Sequence, residues 1–129
     1  MKEEKNRRVF DLEERLINFA VRVIFVVEAL PNTRAGNHVA GQLIRCGTSP
    51  AHNYGEAQGA ESRNDFVHKM KVCLKELRET RICLLIIQRK PLLKPAKKLQ
   101  PMIGECSELI AIFYKSITTA EENKARFRP

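Results

Sequence analysis

The chain has 129 residues, 43% of them hydrophobic, and carries a net charge of +8 with a pI near 9.6. This length suits one domain with a real core, and the apolar content excludes wholesale disorder. With no Trp, six Phe and two Tyr, that core must be largely aliphatic, and the positive charge points to an anionic partner: nucleic acid, an acidic protein or a membrane surface.

The start, MKEEKNRRVFDLEER, mixes charges of both signs and lacks the apolar stretch and small-residue cleavage site of a signal peptide. Residues 1–9 read as a polar tail. Asp11 followed by Glu14 reads as an N-cap with its reciprocal partner. From there Leu12, Leu16, Phe19, Val23, Val26 and Leu30 recur at steps of four and three until Pro31-Asn32. The run VRVIFVV has strand character, but the flanking period and the length predict a helix. The apolar stretch Leu16–Leu30 is too short to cross a bilayer and is broken by Arg22 and Glu28.

The second segment, roughly residues 34–60, keeps the rhythm through Val39, Leu43 and Cys46, then continues with Pro50, Asn53 and Ala57. Gly36, Gly41, Gly47, Gly55 and Gly59 all lie here. Each interior helical Gly costs about 1 kcal/mol relative to Ala. Close helix–helix approach would offset that. Pro50 cannot donate to the carbonyl of Cys46. A kink or a restart is expected near residues 47–50, the restart having Ser49 as a new N-cap and Pro50 at the first helical position.

Ser62 with Asp65 marks a third start, after which Phe66, Met70, Cys73, Leu77, Thr80 and Leu84 repeat the spacing. Pro91 and Pro95 break the chain. Leu99, Ile103, Cys106, Ile110, Phe113 and Ile117 form the fourth line, and residues 121–129 read as a second polar tail. Three lines with a 3.5-residue period, joined by short connections, predict an all-α, up-down-up-down four-helix bundle, a single domain over 1–129 with a kinked second helix.

Of the four cysteines, Cys46, Cys73 and Cys106 fall on these core lines and none makes a CxxC. They fit buried thiols in a reducing, cytoplasmic setting better than disulfides or a zinc site. Glu76-Leu77-Arg78-Glu79 is ExxE, and His38, His52 and His68 complete no ExxH pair of the kind a di-metal bundle needs. No catalytic triad order, phosphate loop or redox motif is present. No enzyme activity, metal or cofactor is therefore expected.

Polar residues cluster around the irregular helix. Arg45, Asn53, Tyr54, Glu56, Glu76, Glu79 and Arg81 are expected to form a hydrogen-bonded network that pins helix two against helix three. The other reading is a ligand or catalytic pocket built from Glu56, Glu76 and Glu79. On the outside of helix three, Lys71, Lys75, Arg78 and Arg89 share one arc that would track phosphates. A solvated face with pairs such as Lys75–Glu79 reads equally well. No aromatic residues interleave with the arc, so a stacking platform for single-stranded bases is not indicated. Two segments carry more apolar residues than one core needs: Ile17, Val21, Ile24 and Phe25 on helix one, and Ile82 and Ile86 on helix three. Such faces predict a homo-oligomer.

The pattern from Arg45 to Thr80, RxxTSxxxNYxEAQxAESxxDFxHKxKxxLKExRET, resembles the bacterial four-helix-bundle family named after open reading frames in 23S ribosomal RNA intervening sequences. The similarity extends from DLEERLINFA into the fourth helix. Pro50 and His52 stand where that family commonly has aliphatic or small residues, and Ile82-Cys83 replaces a frequent aromatic pair. The family resembles in turn the accessory variability protein of diversity-generating retroelements. That relationship implies a ring-shaped homopentamer with a basic surface able to bind RNA or DNA. It implies no catalytic residues; Asn53, Tyr54, Glu56, Glu76 and Glu79 carry over only as signature positions. A scaffold module without nucleic-acid binding is the alternative.

Overall fold

Side chains at helix starts and prolines between helices settle where each element begins and ends. The computed structural model describes residues 2–126, and side chains from residue 11 to residue 123. Helix α1 spans Lys2–Ala29. Thr33 caps α2, Arg34–Gln58, its hydroxyl accepting a hydrogen bond from the Gly36 N–H at 3.0 Å. Ser62 caps α3, Arg63–Arg89, accepting from the Asp65 N–H at 3.1 Å. After Pro91 and Pro95, a short 3₁₀ turn at Ala96–Leu99 leads straight into α4, Gln100–Arg126.

Helix α2 packs against α1 and α3, α3 packs against α4, and α4 returns to α1 over a much shorter stretch. The fold is an all-α four-helix bundle in which α1 and α3 occupy one diagonal. The seven-residue lines meet inside. Leu16, Phe19 and Val23 from α1, Leu43 and Cys46 from α2, Met70, Cys73, Leu77 and Leu84 from α3, and Leu99, Ile103, Cys106, Phe113 and Ile117 from α4 are all buried. Each large aliphatic or aromatic side chain contributes roughly 1.5–3 kcal/mol by leaving water. Leu12, Val26, Leu30, Val39, Phe66 and Ile110 pack around the margin. Thr80 is fully buried on its core line and donates its hydroxyl to the Glu76 carbonyl at 2.8 Å, so it costs no unpaired polar group.

Two local expectations are corrected, the Asp11 cap and the Ser49 helix start, and the polar tails carry helix. Asp11 is not a cap, because α1 is already helical from Lys2. The segment before it is rich in Lys, Glu and Arg, all good helix formers, and the polar tail of residues 1–9 is helix from Lys2 onward. The second tail likewise continues α4 as far as Arg126, and residues 127–129 lie outside the described residues. Finally, α2 runs without interruption through Pro50, and Ser49 starts no new helix. Asn53 Nδ2 donates to the Ser49 carbonyl at 3.1 Å and to Ser49 Oγ at 2.8 Å. Thr48 Oγ1 donates to the Ile44 carbonyl at 2.6 Å. These side chains bond back onto the turn that holds the proline, so Ser49 is occupied within the helix rather than at its end.

Close helix–helix approach explains only Gly47 among the glycines of α2, while a Cβ on Gly36 in the first turn would collide with the Pro31 carbonyl oxygen. A Cβ on Gly47 would lie 2.6 Å and 2.8 Å from the two methyls of buried Val23 on α1. At Gly41 and Gly55 a Cβ would meet nothing within 4 Å. Among the described residues, no helix is long and apolar enough to cross a membrane.

Candidate nucleic-acid interface

The polar residues around α2 separate into small groups instead of one network. Arg45 forks across the α2–α3 seam, with Nη1 3.5 Å from Glu76 Oε2 and Nη2 3.5 Å from Glu79 Oε2. Glu76 is buried while Arg45 is largely exposed, so the guanidinium reaches down over a carboxylate held at the edge of the core. Asn53 bonds within its own helix. Tyr54 is buried edge-on against Phe113 of α4, ring centroids 5.8 Å apart, and burial, with lesser help from Glu13 and Cys73, pushes its hydroxyl up to about 12. Glu56 is exposed and accepts from Lys69 Nζ at 2.8 Å; that bond lowers the carboxyl pKa and raises that of the amine. Arg81 turns the other way and donates from Nε to Ser107 Oγ of α4 at 3.2 Å.

The physical reason is angular. Glu76 and Arg81 lie five residues apart on α3, about 140° around a helix with 3.6 residues per turn. They occupy opposite margins of its apolar face, one toward α2 and the other toward α4. Glu56 is taken by Lys69, so Glu56, Glu76 and Glu79 form no common carboxylate pocket. Among the described residues, no group of three or more His, Cys, Asp or Glu is placed to hold a metal ion.

All four cysteines are free and buried. Cys73 Sγ donates to the Pro50 carbonyl at 3.6 Å and Cys106 Sγ to the Leu77 carbonyl at 3.3 Å. Burial raises both thiols to about 12. Cys46 Sγ donates to the Leu43 carbonyl at 3.8 Å, and its interaction with Cys83 across the α2–α3 seam lowers the Cys46 thiol and, together with burial, raises that of Cys83.

The outer surface of α3 is different in kind. Lys71, Lys75, Arg78 and Arg89 are all exposed. Lys71 is engaged by Glu121 of α4 at 2.8 Å. Lys75 does not pair with Glu79, whose carboxylate turns to Arg45. Among the described residues, Lys75, Arg78 and Arg89 have no ion-pair partner. Ile82 and Ile86 stand on the same face between Arg78 and Arg89, exposed by 55% and 47%. On the diagonally opposite helix α1, Ile17, Val21, Ile24 and Phe25 are exposed as well, Phe25 by 72%.

One residue of this surface had no counterpart in the sequence pattern of α3. Tyr114 of α4 is 59% exposed and lines a groove with Lys71, Lys75 and Arg78. An aromatic ring does stand beside the basic arc, supplied by a neighbouring helix. Its one sequence signal was its place directly after Phe113, off the core line of α4.

The model of the 23S rRNA-intervening sequence protein family matches residues 10–115, most of the chain. The chain belongs to this family. The match takes in the core lines of α1, α2 and α3, that of α4 as far as Phe113, the Arg45 fork, the basic arc and Tyr114. The chain is also similar to a crystal structure of a protein with unknown function from the S23 ribosomal protein family of Bacteroides thetaiotaomicron VPI-5482. The two share 26% identity and a TM-score of 0.77 over 85% of this chain and 97% of that one. No curated protein matches the chain.

Proposed function

We propose that this protein is a non-enzymatic, homo-oligomeric bundle that binds RNA or DNA through the outer surface of α3. The observation that supports this best is the set of exposed cations Lys75, Arg78 and Arg89, without a counter-ion among the described residues, in a chain of net charge +8. Surface cations without partners are free to replace the counter-ions of a phosphate backbone. Contacts to phosphate dominate, so affinity is weak in sequence preference and strong in salt dependence. Binding to mixed RNA and DNA should fall steeply between 50 and 200 mM salt (order-of-magnitude conditions from the same electrostatics). The variant Lys71→Glu/Lys75→Glu/Arg78→Glu should lose binding and keep its helical circular dichroism. No binding by the wild-type protein even at low salt would overturn the reading.

The apolar faces support the assembly half of the proposal. Helices α1 and α3 lie on one diagonal, so the Ile17–Phe25 face and the Ile82–Ile86 face point in opposite directions. Two unlike patches on opposite sides favour a head-to-tail contact, which closes into a ring when the rotation per copy allows. Five copies is the number implied by the likeness to the retroelement accessory protein. Sedimentation equilibrium at micromolar concentration should show an assembly that Phe25→Asp dissociates; a monomer alone would refute it. The same exposed faces favour the second reading, a scaffold whose partners are proteins. Absence of RNA and DNA binding by an intact oligomer would select it.

A further inference from the structure

On the outside of the bundle α3 and α4 leave a groove of about 590 Å³ between them. This lies within the roughly 300–1,000 Å³ typical of small-ligand clefts. Its floor includes the apolar side chains of Leu74 and Ile117. Lys71, Lys75 and Arg78 line it from α3, and Tyr114 lines it from α4. Two carboxylates also line it, but each is engaged: Glu79 by Arg45 and Glu121 by Lys71. Among the described residues the charges left over are those of Lys75 and Arg78. The groove therefore combines two uncommitted cations, an apolar floor and an exposed aromatic ring.

This combination differs from a merely basic surface. A phosphate needs only the cations. The apolar floor and the ring add nothing to it, but they match a flat, aromatic group attached to an anion. A nucleotide unit of a single strand has both parts, whereas a base inside a duplex offers no free face to the ring. We propose that the α3–α4 groove is a subsite for single-stranded nucleic acid, in which one base stacks on Tyr114 while the adjoining phosphates sit on Lys75 and Arg78. The proposal rests on the nucleic-acid-binding reading above and adds to it a location and a preference for unpaired bases.

The test uses the full chain and a fluorescently labelled 12-residue oligouridylate, compared with the same oligomer carrying abasic sites throughout its central half. Stacking on one aromatic side chain is worth roughly tenfold in affinity. Wild-type protein should therefore bind the intact oligomer about tenfold more tightly than the abasic one. Tyr114→Phe should keep this preference, and Tyr114→Ala should remove it. Tyr114 is mostly exposed, so neither variant should disturb the fold. Lys75→Glu/Arg78→Glu should weaken both oligomers together. Equal binding of the two oligomers by wild type, or a base preference that survives Tyr114→Ala, would overturn the subsite and leave the basic-surface reading standing. Undiminished binding by Lys75→Glu/Arg78→Glu would also overturn the subsite. Failure of wild type to bind either oligomer at low salt would remove both proposals.

Discussion

The α2–α3 seam and the α1–α4 seam close the same bundle by different means. Between α2 and α3 lie Cys46, Cys73, Thr80 and Cys83, small side chains that let the helices meet over a long stretch. A thiol of one helix even bonds the other's backbone, Cys73 to the Pro50 carbonyl. Between α1 and α4 the contact is short, and Arg15 bridges it, donating from Nε to Glu105 at 3.1 Å with Glu108 close by at 3.8 Å. The first seam has buried thiols and apolar packing beneath the ion pairs of Arg45 and Lys69, whereas at the second the Arg15 ion pair spans a short contact near the surface. The contrast teaches that a regular apolar period does not imply four equivalent seams.

Alkaline pH should set the buried core apart from the α1–α4 bridge most strongly. The ordinary values of Cys73 and Cys106 are 9.0 and that of Tyr54 is 10.0, yet in the fold all three stand at about 12. The native state keeps protons that the unfolded chain releases. Their contribution to stability is fully present below pH 9 and is lost progressively as pH rises toward 12. Urea midpoints should therefore fall steadily above pH 9, while the Arg15 guanidinium, whose pKa the hydrogen bond to Glu105 raises, stays charged across that range. A midpoint unchanged between pH 8 and pH 11 would show that these thiols and the phenol are not held in their buried sites.

Where two backbones approach, Gly47→Ala should cost about 1–3 kcal/mol, because the new methyl overlaps the methyls of Val23 in a filled core. Val23→Ala made in the same chain should reverse part of that loss, measured as a double-mutant cycle in urea. Additive losses would mean that the clash is relieved elsewhere.

The two arginine bridges give a smaller contrast. Arg45→Ala leaves the Glu76 carboxylate, 10% exposed, without its counter-charge, and should cost about 1–3 kcal/mol. Arg15→Ala leaves the more accessible Glu105 and Glu108 and should cost about 0.2–1 kcal/mol. Reversed sizes in chemical unfolding would show that the ion pair, not the burial of the acid left behind, governs the effect. Least of all, Gly55→Ala should stabilise α2 by about 0.5–1 kcal/mol, since its Cβ would meet nothing within 4 Å. A loss of melting temperature there would point to a contact that the single chain does not contain.

The 3.5-residue lines alone were enough to specify helices, their number and most of the core, because burying one apolar stripe per helix has few solutions. Those lines also marked Ile17, Val21, Ile24, Phe25, Ile82 and Ile86 as outward-facing, and the structure exposes each of them. Partners for polar groups were less legible. Glu79 had Lys75 one turn away in sequence but turned to Arg45 on another helix, and Arg81 met Ser107 instead of the α2 cluster. A long charged side chain reaches several neighbours at similar cost, so its choice depends on which helices stand beside it and at what angle. The same dependence placed Tyr114 against Lys71, Lys75 and Arg78. Periodicity is a property of one helix and can be read along the chain. A groove belongs to two helices, and its chemistry exists only once they pack.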